Sequence, residues 1–385
     1  MRITEDKTTD IVDFYNKKIL TFDFSLISDD LLTGKLGVIL YLLSLYESTN
    51  ESVYLDKIAE LLELIFENCD GNTQNNLYSN SSLSYGISGL GYVLSVLIKS
   101  EILDHEFERQ ISTISEIAFE RTLKMIDENN FGYFNGAIGN LFFLLSVNDH
   151  QKANAIIDVL FERSNTDKYL FYTEMNDLYV DGMNLGLNHG YLSTIKILLE
   201  FSKNDSKSFA IVNICLKTIL SNLDYDYQAE NVHVYKPYRI YEEDNKLKKH
   251  QNNRLCWCNS DLPFSYILHK AGVQLNNNEH IELAEMVGVE TTKRRVFQNT
   301  GIENHHFCHG SSGLAVLYQE LFLQNPKIEY KESYDYWLDQ TISYLETEKN
   351  TPLIVKDLSI LYGKLGSLMV VNEEIDVKKY LKFLI

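Results

Sequence analysis

Hydrophobic positions along this chain fall into two alternating kinds of helical stretch. The first kind is apolar almost throughout, as in GVILYLLSLY (37–46), NLFFLLSV (140–147) and LAVLYQELFL (314–323). The second kind places apolar residues at i, i+3, i+4 and i+7 with charges opposite, as in YLDKIAELLELIFENC (54–69), FERQISTISEIAFERTLKMI (107–126) and YDYWLDQTISYLE (334–346). A helix that is apolar all round belongs inside, and an amphipathic one packs outside it with one face to water. The pattern therefore predicts an all-α protein of inner and outer helices in alternation.

The inner stretches share an opening signal, a Gly followed three residues later by a Gly or small residue. It stands as Gly34/Gly37, Gly86/Gly89, Gly136/Gly139, Gly310/Gly313 and Gly363/Gly366, with looser copies at Gly190/Ser193 and Ser260/Pro263. The starts at 34, 86, 136, 190, 260, 310 and 363 are 50–54 residues apart, except for one interval of 70. A period near 50 over the chain is a repeat architecture, seven helix pairs that form an open superhelix or close into a ring. The whole of 1–385 reads as one domain. The long interval holds an insertion over 222–253, rich in Tyr, Asn and charge around VHVYKPYRIY, expected as a loop or hairpin.

Composition narrows the partners. The net charge of -19 makes nucleic acid and anionic lipid poor ones. Five cysteines in 385 residues are too few and too odd for a disulfide framework. The first residues carry acids and lack the apolar run of a signal peptide, and no apolar stretch is long enough to span a bilayer. A cytoplasmic protein with no integral membrane segment is expected.

Chemistry appears when the two residues before each glycine pair are aligned. The seven dipeptides are Leu32-Thr33, Ser84-Tyr85, Phe134-Asn135, Asn188-His189, Cys258-Asn259, Cys308-His309 and Leu361-Tyr362. These equivalent positions sit at the mouths of the inner helices. Thiol and imidazole groups occupy them only in the fourth, fifth and sixth copies. Two thiolates and an imidazole are a zinc set, and three protein ligands leave a fourth position for substrate. Cys258, Cys308 and His309 are the expected ligands, brought together only if the repeat converges. The alternative is that the cysteines serve as small buried apolar side chains. Cys256 lies outside the slot and is read as a structural thiol, Cys69 and Cys215 as packing residues of outer helices, and His305 and His306 as solvated or structural.

Three segments resemble the signatures of the lanthionine synthetase C-like cyclases: LNHG (187–190), RLCWC (254–258) and CHGSSG (308–313). The glycine-pair repeats extend the resemblance over nearly the whole chain. It implies an α/α toroid of seven inner and seven outer helices, Zn2+ held by Cys258, Cys308 and His309, a catalytic histidine at His189 and an arginine at Arg254. It also implies addition of Cys thiolates to dehydroalanine or dehydrobutyrine in a dehydrated, ribosomally made precursor peptide. Kinase and dehydratase signatures are not evident, so a separate dehydratase is the expected partner. Two positions depart from the family: its Tyr-Gly after the first ligand is Asn259-Ser260, and an acid preceding the third repeat is Gly132, with Asp127 and Asp181 as candidate substitutes. Other readings are a different zinc-thiolate alkyl transfer, such as glutathione addition or prenylation, and a scaffold that keeps zinc without turnover.

Overall fold

The computed structural model describes residues 5–70, 77–173, 182–201 and 205–385. Helices alternate as the hydrophobic pattern predicts. In chain order the principal ones are α1 (Glu5–Leu20), α2 (Lys35–Thr49), α3 (Ser52–Asp70), α4 (Ile87–Lys99), α5 (Glu108–Asp127), α6 (Ala137–Ser146) and α7 (His150–Thr166). There follow α8 (Tyr191–Phe201), α9 (Ser206–Leu220), α10 (Asp261–Gln274), α11 (Asn278–Thr291), the short α12 (Phe297–Thr300), α13 (Ser311–Gln324), α14 (Ile328–Thr347), α15 (Leu365–Val371) and the short α16 (Val377–Tyr380).

Burial sorts these helices into two layers. Every residue of α2 from Lys35 to Leu45 is buried. In α5 burial recurs at Ile111, Ile114, Ser115, Ala118, Thr122 and Ile126, the single stripe of a helix with one face to solvent. Among the described residues α2, α4, α6, α8, α10, α13 and α15 form the inner layer, and α1, α3, α5, α7, α9, α11 and α14 the outer. The expected seven-and-seven toroid is borne out. The outer partner of the last inner helix is α1, the first helix of the chain. It packs on α14 and α15, with the Tyr15 hydroxyl donating to Leu345 O at 2.8 Å and Lys18 Nζ donating to Lys349 O at 3.3 Å.

A closed ring of backbone hydrogen bonds binds the inner-helix mouths. Leu31 N donates to Ser84 O, Ser84 N to Phe134 O, Phe134 N to Asn188 O, and Leu187 N to Cys258 O. Trp257 N then donates to Cys308 O, Cys308 N to Leu361 O, and Ile360 N to Leu32 O, which returns to the first repeat. Every acceptor is the residue two before the first glycine (or Ser260) of its repeat. The second glycine of each pair is needed because this collar is tight. A Cβ on Gly313 would come within 1.9 Å of Phe307 O and 2.9 Å of the neighbouring repeat's Trp257 Cβ.

Beneath the collar the chain's own residues 382–384 occupy the ring. Trp257 Nε1 donates to Leu384 O at 2.9 Å, Lys196 Nζ donates to Lys382 O at 2.9 Å, and the Tyr133 hydroxyl donates to Phe383 O. The ring is therefore filled and is not a pore.

Between α9 and α10 the chain forms two hairpins, β2 (Gln228–Ala229) with β3 (Val232–His233) and β4 (Arg239–Glu243) with β5 (Lys246–His250); β4 also pairs antiparallel with β1 (Met183–Asn184), just before the fourth mouth. Both hairpins turn on two residues with positive φ, Glu230-Asn231 and Asp244-Asn245, as a type I′ turn requires.

Two outcomes test this architecture. Gly313→Ala is expected to lower unfolding stability by roughly 1–3 kcal/mol, because the added methyl has only backbone and a neighbouring repeat to displace; urea denaturation measures it. Lys196 gives a pH dependence. Burial pushes its pKa from 10.5 down to about 7, so the unfolded chain holds the extra proton between those values. Its contribution is then a penalty at and below neutrality that is relieved as pH rises through that window. Lys196→Met should flatten the rise in stability between about pH 6 and about pH 9, read from thermal melts at both.

Candidate metal centre

The collar brings the fifth and sixth mouths side by side, and the donor atoms gather there. Cys258 Sγ lies 3.1 Å and Cys308 Sγ 3.9 Å from His309 Nε2. Cys256 Sγ lies 3.5 Å from Cys258 Sγ, and the donors of Cys256, Cys258 and His309 all fall within 4.8 Å of one another. A tetrahedral zinc with bonds of roughly 2.3 Å to sulfur and 2.0–2.1 Å to nitrogen has donor–donor edges of about 3.5–3.8 Å. The set fits such an ion in spacing and in chemistry. The donors that all lie within reach of one another are those of Cys256, which the slot alignment left out, Cys258 and His309; Cys308, the other expected ligand, approaches His309 Nε2 at 3.9 Å but stands outside that group of three.

Without a cation Cys256, Cys258 and His309 are held in their neutral forms. Cys256 is raised well above the ordinary thiol range by its contact with Cys258 and by burial. Cys258 is also raised: its hydrogen bond with Cys256 lowers it, but the Cys308 thiol and burial outweigh that. Burial holds the His309 imidazole below its usual value, in the neutral form that ligates metal. Buried thiols of this kind become thiolates when a divalent cation takes the place of their protons.

Around the sulfurs stand four side chains from different elements. Arg254 is exposed, and its charge lowers both Cys258 and His309. Tyr362, in the seventh slot, stacks on His309 at 6.1 Å, and its phenol is raised by burial and by Cys308. Tyr238 is raised by burial and then by all three sulfurs. Lys236 is buried, with its pKa pushed down to about 8 by burial against the pull of Asp261, Cys256 and Cys258. Lys236 and Tyr238 come from the inserted segment, and sequence reasoning missed both. The signal that could have found them is VHVYKPYRIY (232–241), a basic aromatic stretch in an acidic chain, in the interval that ends at Cys258.

His189 stands in the fourth mouth. Its ring meets Phe134 edge-on at 6.2 Å, and Phe134 stacks on Trp257, the residue before Cys258. Burial pushes its pKa down to about 4, so it is a neutral imidazole at pH 7. Asp127, a candidate partner, is exposed at the end of α5, and Asp181 lies outside the described residues. His305 is buried in a polar network, with Nδ1 2.9 Å from Ser367 Oγ and Nε2 3.3 Å from Glu348, and His306 packs edge-on against it.

Asn259 has a structural office of its own. It accepts from Lys236 Nζ at 2.5 Å and donates to Tyr238 O at 3.0 Å and Asn184 Oδ1 at 3.3 Å. Gly186 leaves room for it, since a Cβ there would meet the Asn259 side chain at 2.7 Å. One amide thus ties the inserted hairpin segment to the fourth and fifth mouths.

The chain folds as an α/α toroid with a cysteine–histidine group at the mouth of its inner ring that could hold a metal ion. The profile of lanthionine synthetase C-like proteins matches residues 25–384, and the chain belongs to that family. It is 24% identical over 360 residues to the nisin biosynthesis protein NisC of Lactococcus lactis subsp. lactis, covering 86% of this chain and 82% of that one. Its fold matches the solved structure of nisin cyclase with a TM-score of 0.72 at 18% identity, covering 98% of this chain and 97% of the other.

Asn259→Ala would leave the buried Lys236 ammonium without its amide partner. The expected cost is roughly 1–3 kcal/mol of stability, together with faster proteolysis within 223–253, read by urea denaturation and by mapping the first cuts.

Proposed function

We propose that this protein is a zinc-dependent lanthionine cyclase, which adds Cys thiols of a dehydrated, ribosomally made precursor peptide to dehydroalanine or dehydrobutyrine. The observation that carries the reading is the gathering of Cys258, Cys308 and His309 at two adjacent mouths of the toroid, with His189 at the mouth before them. Family membership and the likeness to nisin cyclase support it.

Zinc, when bound, supplies the positive centre that turns a substrate thiol into a thiolate at neutral pH. Cys258, Cys308 and His309 hold it. His189, neutral at pH 7, accepts the proton that the substrate thiol gives up. The thiolate sulfur bonds to the β-carbon as the double bond's electron pair moves toward the carbonyl. Arg254 stabilises the enolate oxygen, and His189 returns its proton to the α-carbon. The reaction is a net addition of S–H across a double bond and needs no oxidant or reductant. Asn259 keeps the mouth in register through Lys236, in place of the family's tyrosine. The dehydrated residues must be supplied by a separate dehydratase acting on Ser and Thr. The five cysteines are all free, as a cytoplasmic protein's would be.

Purified protein is expected to carry about one zinc per chain, as three-ligand catalytic sites do. A Cys258→Ala, Cys308→Ala double variant should lose it, and retention of stoichiometric zinc would refute the ligand assignment. His189→Ala should keep zinc yet cyclise a dehydrated Cys-containing peptide roughly 10²–10⁴ times more slowly. Thiol addition also proceeds unaided, so rate above the no-enzyme background and ring stereochemistry are what the assay must score. Wild-type protein that never exceeds that background with its cognate peptide would overturn the proposal.

A further inference from the structure

We propose that Cys256 is the resting fourth ligand of the metal centre, a chain sulfur that holds the position the substrate sulfur takes over. The inference rests on the metal reading above and adds to it a resident occupant and an exchange step.

Cys256 is 2% exposed, and its sulfur shares one cluster with Cys258 and His309. Cys308 Sγ stands at the edge of that group, 3.9 Å from His309 Nε2, so three sulfurs and one imidazole nitrogen gather at the two mouths, the number that zinc prefers. The local chain is built to put it there. The turn closed between Cys256 and Ser260 brings both sulfurs to the cluster, while Trp257 between them turns away to Leu384 O. A thiol used only for packing needs no such company. Cys215, buried on α9 as one of its stripe of inward-facing residues, is the contrast within this chain.

Four chain ligands would leave no room for a substrate, so one must yield, and the backbone distinguishes which. Cys258 and Cys308 are collar residues. Their carbonyls accept from Leu187 N and Trp257 N of neighbouring repeats, and Cys308 N donates to Leu361 O. These bonds pin the backbones that aim their sulfurs at the cluster. Cys256 is held by a bond to its own turn: its N–H donates to Ser260 Oγ at 3.2 Å, and that hydroxyl donates back to Cys256 O at 2.8 Å. Cys256 can leave while the collar stays shut.

The exchange balances. One bond to the ion would break at Cys256 and one would form to the incoming sulfur, whose proton goes to His189 as above, and the freed Cys256 sulfur would leave and return as a thiolate beside Lys236. Three thiolates and one imidazole would surround the ion before and after. The resident sulfur also keeps stray thiols and water off the ion until a peptide is delivered.

The test uses full-length protein loaded with Co2+ in place of zinc, read by the near-ultraviolet sulfur-to-cobalt charge-transfer band, whose intensity counts bound thiolates. Cys256→Ala should take up one cobalt per chain with the band reduced by about a third, from three sulfurs to two. N-acetylcysteine should restore that third in the variant, and should leave the band of the wild type unchanged as one sulfur replaces another. Cys69→Ala, on outer helix α3, should match wild type throughout. Cys256→Ser supplies a second variant if the first melts early. Equal bands in wild type and both Cys256 variants, each with one cobalt bound, would overturn the role of Cys256 alone. Failure of the wild type to take up cobalt or zinc at all would overturn the metal reading beneath it.

Discussion

The collar of backbone hydrogen bonds is the constraint on which the rest of the molecule depends. A buried N–H or C=O must find a partner, and in this fold the partner of each mouth belongs to the next repeat. The cycle returns through Ile360 N to Leu32 O, so no repeat is terminal. In an open solenoid the end repeats need capping. Here the chain's first helix covers the last inner helix, and the donor and acceptor that would otherwise be stranded at the ends satisfy each other. Each bond contributes about 0.5–1.5 kcal/mol net, but opening any one leaves two buried polar groups unpaired at a greater cost. The ring should therefore open as a whole or not at all.

The same constraint makes the chemistry. Residues 50 apart in sequence have no local reason to meet, yet Cys258 Sγ and His309 Nε2 stand 3.1 Å apart. They meet because Cys258 and Cys308 each serve as a collar acceptor, one step apart round the cycle. The ligands' backbones are fixed before any ion arrives, so little ordering is left for binding to cost. Tyr362 and His189 flank the ligands by the same rule, as the side chains of the next mouth on either side.

What was legible in the sequence follows from what is periodic. The Gly34 to Gly363 series gives the inner helices, and the slot before each glycine pair points to Cys258, Cys308 and His309 as residues that converge. Closure through α1 was not legible, because that helix has no glycine pair and its place is set by Tyr15 and Lys18 reaching α14 and the turn after it. Cys256 was not legible as a neighbour of the ligands, since it lies two residues before the slot and only the turn clamped by Ser260 brings its sulfur round. Lys236 and Tyr238 escaped for another reason: they sit in the one interval that breaks the period, where alignment to other repeats carries no information.

The break in the period has an electrostatic consequence. In the reading proposed above, three ionised sulfurs around one divalent cation would leave a net negative charge in a largely buried site, in a chain that is already strongly acidic. The lysines that stand at inner-helix mouths, Lys35 and Lys364, are already engaged in ion pairs, with Asp29 and with Glu348 and Asp357. The inserted hairpins solve this by delivering Lys236 laterally, buried and anchored on Asn259, at the edge of the fifth mouth. Arg254 supplies a second positive charge from the solvent side. The longest interval of the repeat falls immediately before the mouths that carry Cys258 and Cys308. Asn259 suits this anchorage, because one amide accepts from the ammonium and donates to Tyr238 O at once.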